Sequence, residues 1–172
     1  MYSGNYGYKH NGTIVIPARY EWAESFSEGL ARVVINGKYG FIDKSGTLVI
    51  PARYDEAWDF SEGLAGVKIN GKYGFIDKSG TLVIPARYDY AWDFSEGLAG
   101  VKINGKWGFI DKSGTLVIPA RYDEVLDDYG VFGFKNGLAK VELNGRELFI
   151  DRNGNEEADA APATAPPDEG AK

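Results

Sequence analysis

Leu64-Ala-Gly-Val-Lys-Ile-Asn-Gly-Lys-Tyr-Gly-Phe-Ile-Asp77 is the stretch whose reading decides the fold. Leu64 to Ile69 alternates, placing Ala65, Val67 and Ile69 on one side of an extended chain and Gly66 and Lys68 on the other. Asn70-Gly71 follows, the dipeptide that best closes a tight hairpin because both residues tolerate positive φ. Lys72 to Asp77 alternates again, with Tyr73 and Phe75 opposite Gly74 and Ile76. The turn Asp77-Lys-Ser-Gly80 leads to a third, β-branched run from Thr81 to Ile84, which Pro85 is expected to end because proline has no N–H for the ladder. The unit reads as a three-stranded meander. Arg87 to Gly97 has mixed periodicity and is expected to be a connector with one helical turn.

The same unit recurs. Val-Ile-Pro-Ala-Arg-Tyr starts at Val15, Val49, Val83 and Val117, each 34 residues after the last. Phe-Ser-Glu-Gly-Leu-Ala starts at Phe26, Phe60 and Phe94, and its variant Phe-Lys-Asn-Gly-Leu-Ala starts at Phe134, a step of 40 that places six extra residues between Tyr122 and Phe134. Phe41–Gly74 and Phe75–Gly108 differ at two positions alone, Glu56 against Tyr90 and Tyr73 against Trp107, and identity at solvent-facing positions points to recent duplication or design. One such meander buries too little apolar surface to offset its ordering entropy, so the units must stack. The expectation is an all-β domain over residues 1–155, about four meanders in an open array or superhelix, with a small closed propeller-like ring as the alternative because the chain enters and leaves mid-repeat. Residues 156–172, rich in Ala, Pro, Asp and Glu, are expected to be a disordered tail.

Charge and composition narrow the function. Of the net charge of −6, the tail carries −4, from Glu156, Glu157, Asp159, Asp168 and Glu169 against Lys172, which leaves −2 on the body. A nearly neutral body without a basic stripe has nothing with which to displace counterions, so neither nucleic acid nor an anionic membrane is an expected partner. There is no cysteine and one histidine, His10, so no cofactor or zinc site is expected and nucleophilic triad chemistry has no support. The glycines fall singly at turns and form no phosphate-cradling loop. No apolar run approaches the ~20 residues that span a bilayer, and Met1-Tyr-Ser-Gly-Asn lacks the features of a secretory signal. The compartment is left open between a bacterial cytoplasm and a cell surface reached by a removed signal.

Phe60-Ser-Glu-Gly-Leu-Ala, then Asn70-Gly-Lys-Tyr-Gly-Phe-Ile-Asp, then Ser79-Gly, Val83-Ile-Pro and Arg87-Tyr-Asp resembles the bacterial WG repeat, named for its Trp-Gly pair. The likeness runs from about residue 6 to 154; Trp107-Gly108 keeps the naming pair, Tyr39-Gly40 and Tyr73-Gly74 carry tyrosine, and the last repeat has Glu147-Leu148 instead. The resemblance implies a β-rich repeat of bacterial type, often found in surface or multi-domain proteins, and brings no catalytic residues with it.

Several residues recur with chemistry worth weighing. Asp43, Asp77, Asp111 and Asp151 each open a turn, where a carboxylate caps backbone N–H groups more readily than it binds calcium. Arg19, Arg53, Arg87 and Arg121 are expected to pair with connector carboxylates such as Asp55, Asp89 and Asp123. The candidate contacts for a ligand or partner are Trp58 and Trp92 at equivalent connector positions, Tyr54, Tyr88 and Tyr122 nearby, and Asp59 and Asp93 after the tryptophans. Aromatic faces beside carboxylates suit protein hot spots or sugar rings, against the alternative that each tryptophan is packed between meanders. Trp22 stands in a shifted register. The expected function is a non-catalytic scaffold for protein–protein interaction; the alternatives are a self-assembling structural subunit and a carbohydrate-binding module.

Overall fold

The computed structural model describes residues 5–158. An N-terminal hairpin pairs β1 (Tyr6–His10) with β2 (Thr13–Tyr20). Three four-stranded antiparallel units follow: β3 (Trp22–Ala23), β4 (Leu30–Ile35), β5 (Lys38–Asp43) and β6 (Leu48–Tyr54); β7 (Glu56–Ala57), β8 (Leu64–Ile69), β9 (Lys72–Asp77) and β10 (Leu82–Tyr88); β11 (Tyr90–Ala91), β12 (Leu98–Ile103), β13 (Lys106–Asp111) and β14 (Leu116–Tyr122). The last unit holds β15 (Glu124–Val125), β16 (Phe134–Lys135), β17 (Leu138–Leu143), β18 (Arg146–Asp151) and β19 (Glu156–Glu157). The fold is all-β and tandem.

Two details differ from the sequence expectation. The connector contains no helical turn among the described residues; Glu56–Ala57 adds to the free edge of β8, pairing with Lys68 and Val67, so each meander gains a fourth strand. Nor does the third run stop at proline. Ile84 pairs with Phe75 and Tyr88 with Tyr73, so Pro85–Arg87 bulges out opposite Gly74, and the missing N–H of Pro85 falls where no ladder bond is needed. That bulge presses the strand onto Gly74, where an added Cβ would lie 2.5 Å from the Ile84 carbonyl oxygen and 2.7 Å from the Ala86 nitrogen. The same holds at Gly40 and Gly108, so the glycine after the aromatic is dictated by a backbone crossing over it. In the last unit Leu148 occupies that position, buried, and among the described residues no strand crosses it.

The core runs through the stack. Ile50, Ile84 and Ile118 are fully buried, as are Phe41, Phe75 and Phe109, each meeting an aromatic of the next connector: Phe41 meets Phe60, Phe75 meets Phe94 and Phe109 meets Phe134, edge to face at 4.8–5.0 Å. Polar contacts repeat with the same step. Ser27, Ser61 and Ser95 donate to the carbonyls of Phe60, Phe94 and Phe134 at 2.9, 2.8 and 2.6 Å. Glu28, Glu62 and Glu96 accept from the amides of Gly63, Gly97 and Gly137 at 2.8, 2.8 and 3.0 Å. Each of those glutamates sits at φ 52–53 ahead of a glycine, the double left-handed geometry of a tight hairpin turn, which aims its carboxylate at the next unit. Among the described residues the extensive contacts link neighbouring units alone, hairpin to first unit and so on to the last, so the arrangement is an open array and the ring alternative is set aside.

The expected tail begins later than residue 156, because Glu156 and Glu157 pair with Ile150 and Phe149. The remainder of the expected disordered tail lies outside the described residues.

Candidate functional site

Three connectors contain one tight turn, Ser-Glu-Gly-Leu; the fourth contains two. The six-residue insertion folds into Asp128-Tyr129-Gly130-Val131, with Asp128 and Val131 joined by backbone bonds of 2.9 and 3.2 Å, ahead of the regular Lys135-Asn136-Gly137-Leu138. The Asp127 carboxylate accepts the Gly130 amide at 2.6 Å and fixes the inserted turn. Tyr129 holds φ at 50°, a strained position for a bulky side chain, and is 89% exposed with the Lys135 ammonium 5.0 Å from its ring centre.

Beside this turn lies a cleft of about 270 Å³ lined by Trp92, Asp93, Ser95, Gly130, Val131 and Phe132. Phe132 stacks on Trp92 at 4.2 Å and 14°. Trp92 in turn stacks on Trp107 and meets Tyr90, and Tyr90 meets Tyr73, which stacks on Trp58, so one continuous aromatic row runs from the second unit to the insertion. The row is mostly packing. Trp58 lies over Gly66, whose absent Cβ leaves it room, and donates its indole N–H to the Ala91 carbonyl of the next unit at 3.1 Å. Trp92 lies over Gly100 but its indole nitrogen is buried without an acceptor, and the bond that Trp58 makes to the next unit has no counterpart here.

The seven sequence candidates separate accordingly. Tyr54, Tyr88 and Tyr122 are buried, with 0–2% exposure, and their hydroxyls accept from the arginine before each, so the expectation that they present ring faces to a ligand is corrected. Trp58 and Trp92 are half-buried. Asp59 is engaged by Arg32, and Asp93 opens onto the cleft. The arginines Arg19, Arg53, Arg87 and Arg121 do not pair with connector carboxylates; each reaches the carbonyl of a turn glycine in the following unit, Gly46, Gly80, Gly114 and Gly154, at 3.0–3.3 Å. Asp55, Asp89 and Asp123 pair instead with Lys38, Lys72 and Lys106 of their own meanders, whose ammonium groups hold these carboxyls below the usual range. Asp43, Asp77 and Asp111 cap their turns: the serine hydroxyl two residues on, then backbone amides, bind each carboxylate and lower its pKa.

Other titrating groups owe their shifts to burial and neighbours. Burial, then the bond to Glu56, raises Tyr73, while burial and nearby acids raise Tyr8 to about 12. Asp93 is pushed up to about 6, first by lost hydration and then by the negative charge of Asp59, against a pull from Arg32, although the residue as a whole is exposed. No group of three or more His, Asp or Glu side chains among the described residues is placed to hold a metal ion.

At Tyr73-Gly74 and Trp107-Gly108 the aromatic-glycine pair thus has a defined job, the glycine under the crossing strand and the aromatic in the row between units. The family model described as WG containing repeat matches residues 8–39, 39–73, 73–107 and 107–146. The chain belongs to the WG-repeat family. No match is found among the curated proteins. Each match begins or ends near the aromatic of the pair, so the WG-repeat boundary runs through β5, β9 and β13 rather than between sheets. Tyr129 and Phe132 were the residues missed; the signal was an insertion that brings two aromatics into an otherwise regular WG-repeat connector.

Proposed function

We propose that this WG-repeat chain is a non-catalytic scaffold that binds a protein partner, and that contact centres on the inserted turn and its cleft. The observation that carries the reading is the break in regularity itself: where the second and third connectors use every aromatic for packing and the first leaves Trp22 44% exposed against Tyr6, the fourth lifts Tyr129 to 89% exposure and leaves Phe132 at 37% beside an open cleft. Aromatic anchors with few rotatable bonds on a rigid frame are the residues that dominate interface energies. The test is a photoreactive tyrosine analogue at position 129, with the same group at Glu62, the equivalent tip of a regular turn, as the control. Adducts in the native host from position 129 alone support the reading; equal labelling from both positions contradicts it.

A scaffold is favoured over a self-assembling subunit by the two ends. Where each regular unit grips the next through Ser and Glu, the last unit carries Lys135 and Asn136. Where each regular unit offers Asp-Lys-Ser-Gly to the arginine before it, the first hairpin has the shorter Asn11-Gly12 turn. Neither end therefore matches the other, and sedimentation across a wide concentration range is expected to show a monomer; growing mass would favour the structural subunit.

A further inference from the structure

We infer that the cleft receives an arginine side chain from the partner, its guanidinium on the Asp93 carboxylate and its stem against Trp92 and Phe132; this rests on the scaffold reading above. The molecule carries its own template for the contact. Between the first two four-stranded units Arg32 reaches into the following connector, where Nε donates to Asp59 Oδ1 at 2.8 Å and Nη1 to the Ala57 carbonyl at 2.6 Å. One step on, the residue equivalent to Arg32 is Gly66 and the residue equivalent to Asp59 is Asp93. Trp58 fills the space over Gly66 and takes the Ala91 carbonyl, the counterpart of Ala57, but a tryptophan has nothing to give the carboxylate. Among the described residues Asp93 has no hydrogen bond and no ion pair, and the charged groups that bear on it are Asp59 and the already committed Arg32. A further step on, Asp127 is satisfied by the Gly130 amide. Asp93 alone keeps the demand of the template without its arginine.

The walls select the same ligand. The residues lining the cleft include no cation, which disfavours a phosphate or carboxylate, and the hydroxyls of Ser61 and Ser95 are already donated to the Phe94 and Phe134 carbonyls. What remains is one carboxylate beside two stacked rings. A planar, weakly hydrated guanidinium both pairs with a carboxylate and lies on aromatic faces, whereas a lysine ammonium is held more tightly by water.

The experiment is an NMR titration of the whole chain with the peptide acetyl-Gly-Arg-Gly-amide and with its citrulline counterpart, which keeps the shape and loses the charge. The arginine peptide is expected to move the amides of residues 129–132 and the Trp92 indole, and to bind about tenfold more tightly than the citrulline peptide, the ratio a charge-assisted hydrogen bond supplies. Asp93→Asn removes that preference. Arg32 is also held by Glu24 at 3.7 Å, and the double substitution Trp58→Glu with Gly66→Arg recreates that pair one unit along, which is expected to occupy Asp93 from within and abolish arginine binding. Equal affinity for the two peptides overturns the guanidinium assignment while leaving the cleft as a peptide site. No movement in the cleft with the arginine peptide also overturns it, whereas loss of the scaffold reading shows separately, as equal labelling from positions 129 and 62.

Discussion

The third four-stranded unit and the last unit share a strand plan and differ in what crosses it. Over Gly108 runs the bulged strand β14, so close that a Cβ there would sit 2.6 Å from the Ile118 carbonyl oxygen. At the same position in the last unit stands Leu148, buried, and among the described residues the strand beside β18 reaches only Ile150 and Phe149. The third unit grips its successor by Ser95 and Glu96, and the last has Lys135 and Asn136 there. Residues that look like a motif in the sequence are thus structural parts: the glycine lies under a strand of its own unit, and the serine and glutamate hold the next unit. The last connector holds six more residues than the others, and these build the exposed turn.

The largest expected effect breaks this comparison at its centre. Gly108→Leu drives a side chain into backbone that cannot move and is expected to cost more than about 4 kcal/mol, a large share of a domain's whole stability, while Leu148→Gly costs about 3 kcal/mol as a lost buried side chain. Urea unfolding of both variants decides; a tolerated leucine at 108 would mean the crossing strand is not what fixes the glycine. Next come the two tryptophans. Trp58→Ala is expected to destabilise by about 4 kcal/mol and Trp92→Ala by about 3, because both lose buried ring surface but only Trp58 also loses a hydrogen bond to the following unit. Matching melting curves would show that the insertion leaves the last interface as tight as the others. Arg87→Ala, which frees the Gly114 carbonyl and the Tyr88 hydroxyl, is expected to cost about 1–2 kcal/mol by the same unfolding assay.

The smallest effect is a pH dependence. The folded chain holds the Asp93 proton up to about 6, against an ordinary aspartate value of 3.8 when unfolded. The favourable contribution is therefore complete below pH ~4 and is lost as pH rises through ~6, so ionised Asp93 weakens the fold at neutrality. Asp93→Asn is expected to melt at the same temperature as the parent at pH 4 and slightly higher at pH 7; an unchanged difference across that range would mean that Asp93 titrates normally.

Strand period and turn chemistry made most of the frame legible. Alternation from Leu64 to Ile69, Asn70-Gly71 and the Asp77 turn all lie where the residue types place them. The two-residue strand at Glu56–Ala57 was not legible, because a period cannot be read from two residues, and Pro85 hid the continuation of β10 because proline signals a strand end unless a bulge absorbs it. The arginine ladder was seen but given the wrong partner: sequence proximity put Arg53 beside Asp55, while the stack put the Gly80 carbonyl of the next unit within 3.3 Å. At the site, Trp92 and Asp93 were readable as connector residues, but their exposure depends on the inserted turn, and a periodic sequence describes its insertions only as gaps.

In the proposed division of labour the regular units build the frame and the insertion carries recognition. Replacing Leu126–Phe134 with Trp-Asp-Phe, the equivalent Trp58–Phe60 of the second unit, removes the six-residue insertion and nothing else of the connector's length. Thermal unfolding and the arginine-peptide titration, measured together on this variant, are expected to show a melting temperature at or above that of the parent and no binding. A variant that keeps its fold and still binds the peptide with parental affinity would contradict the account.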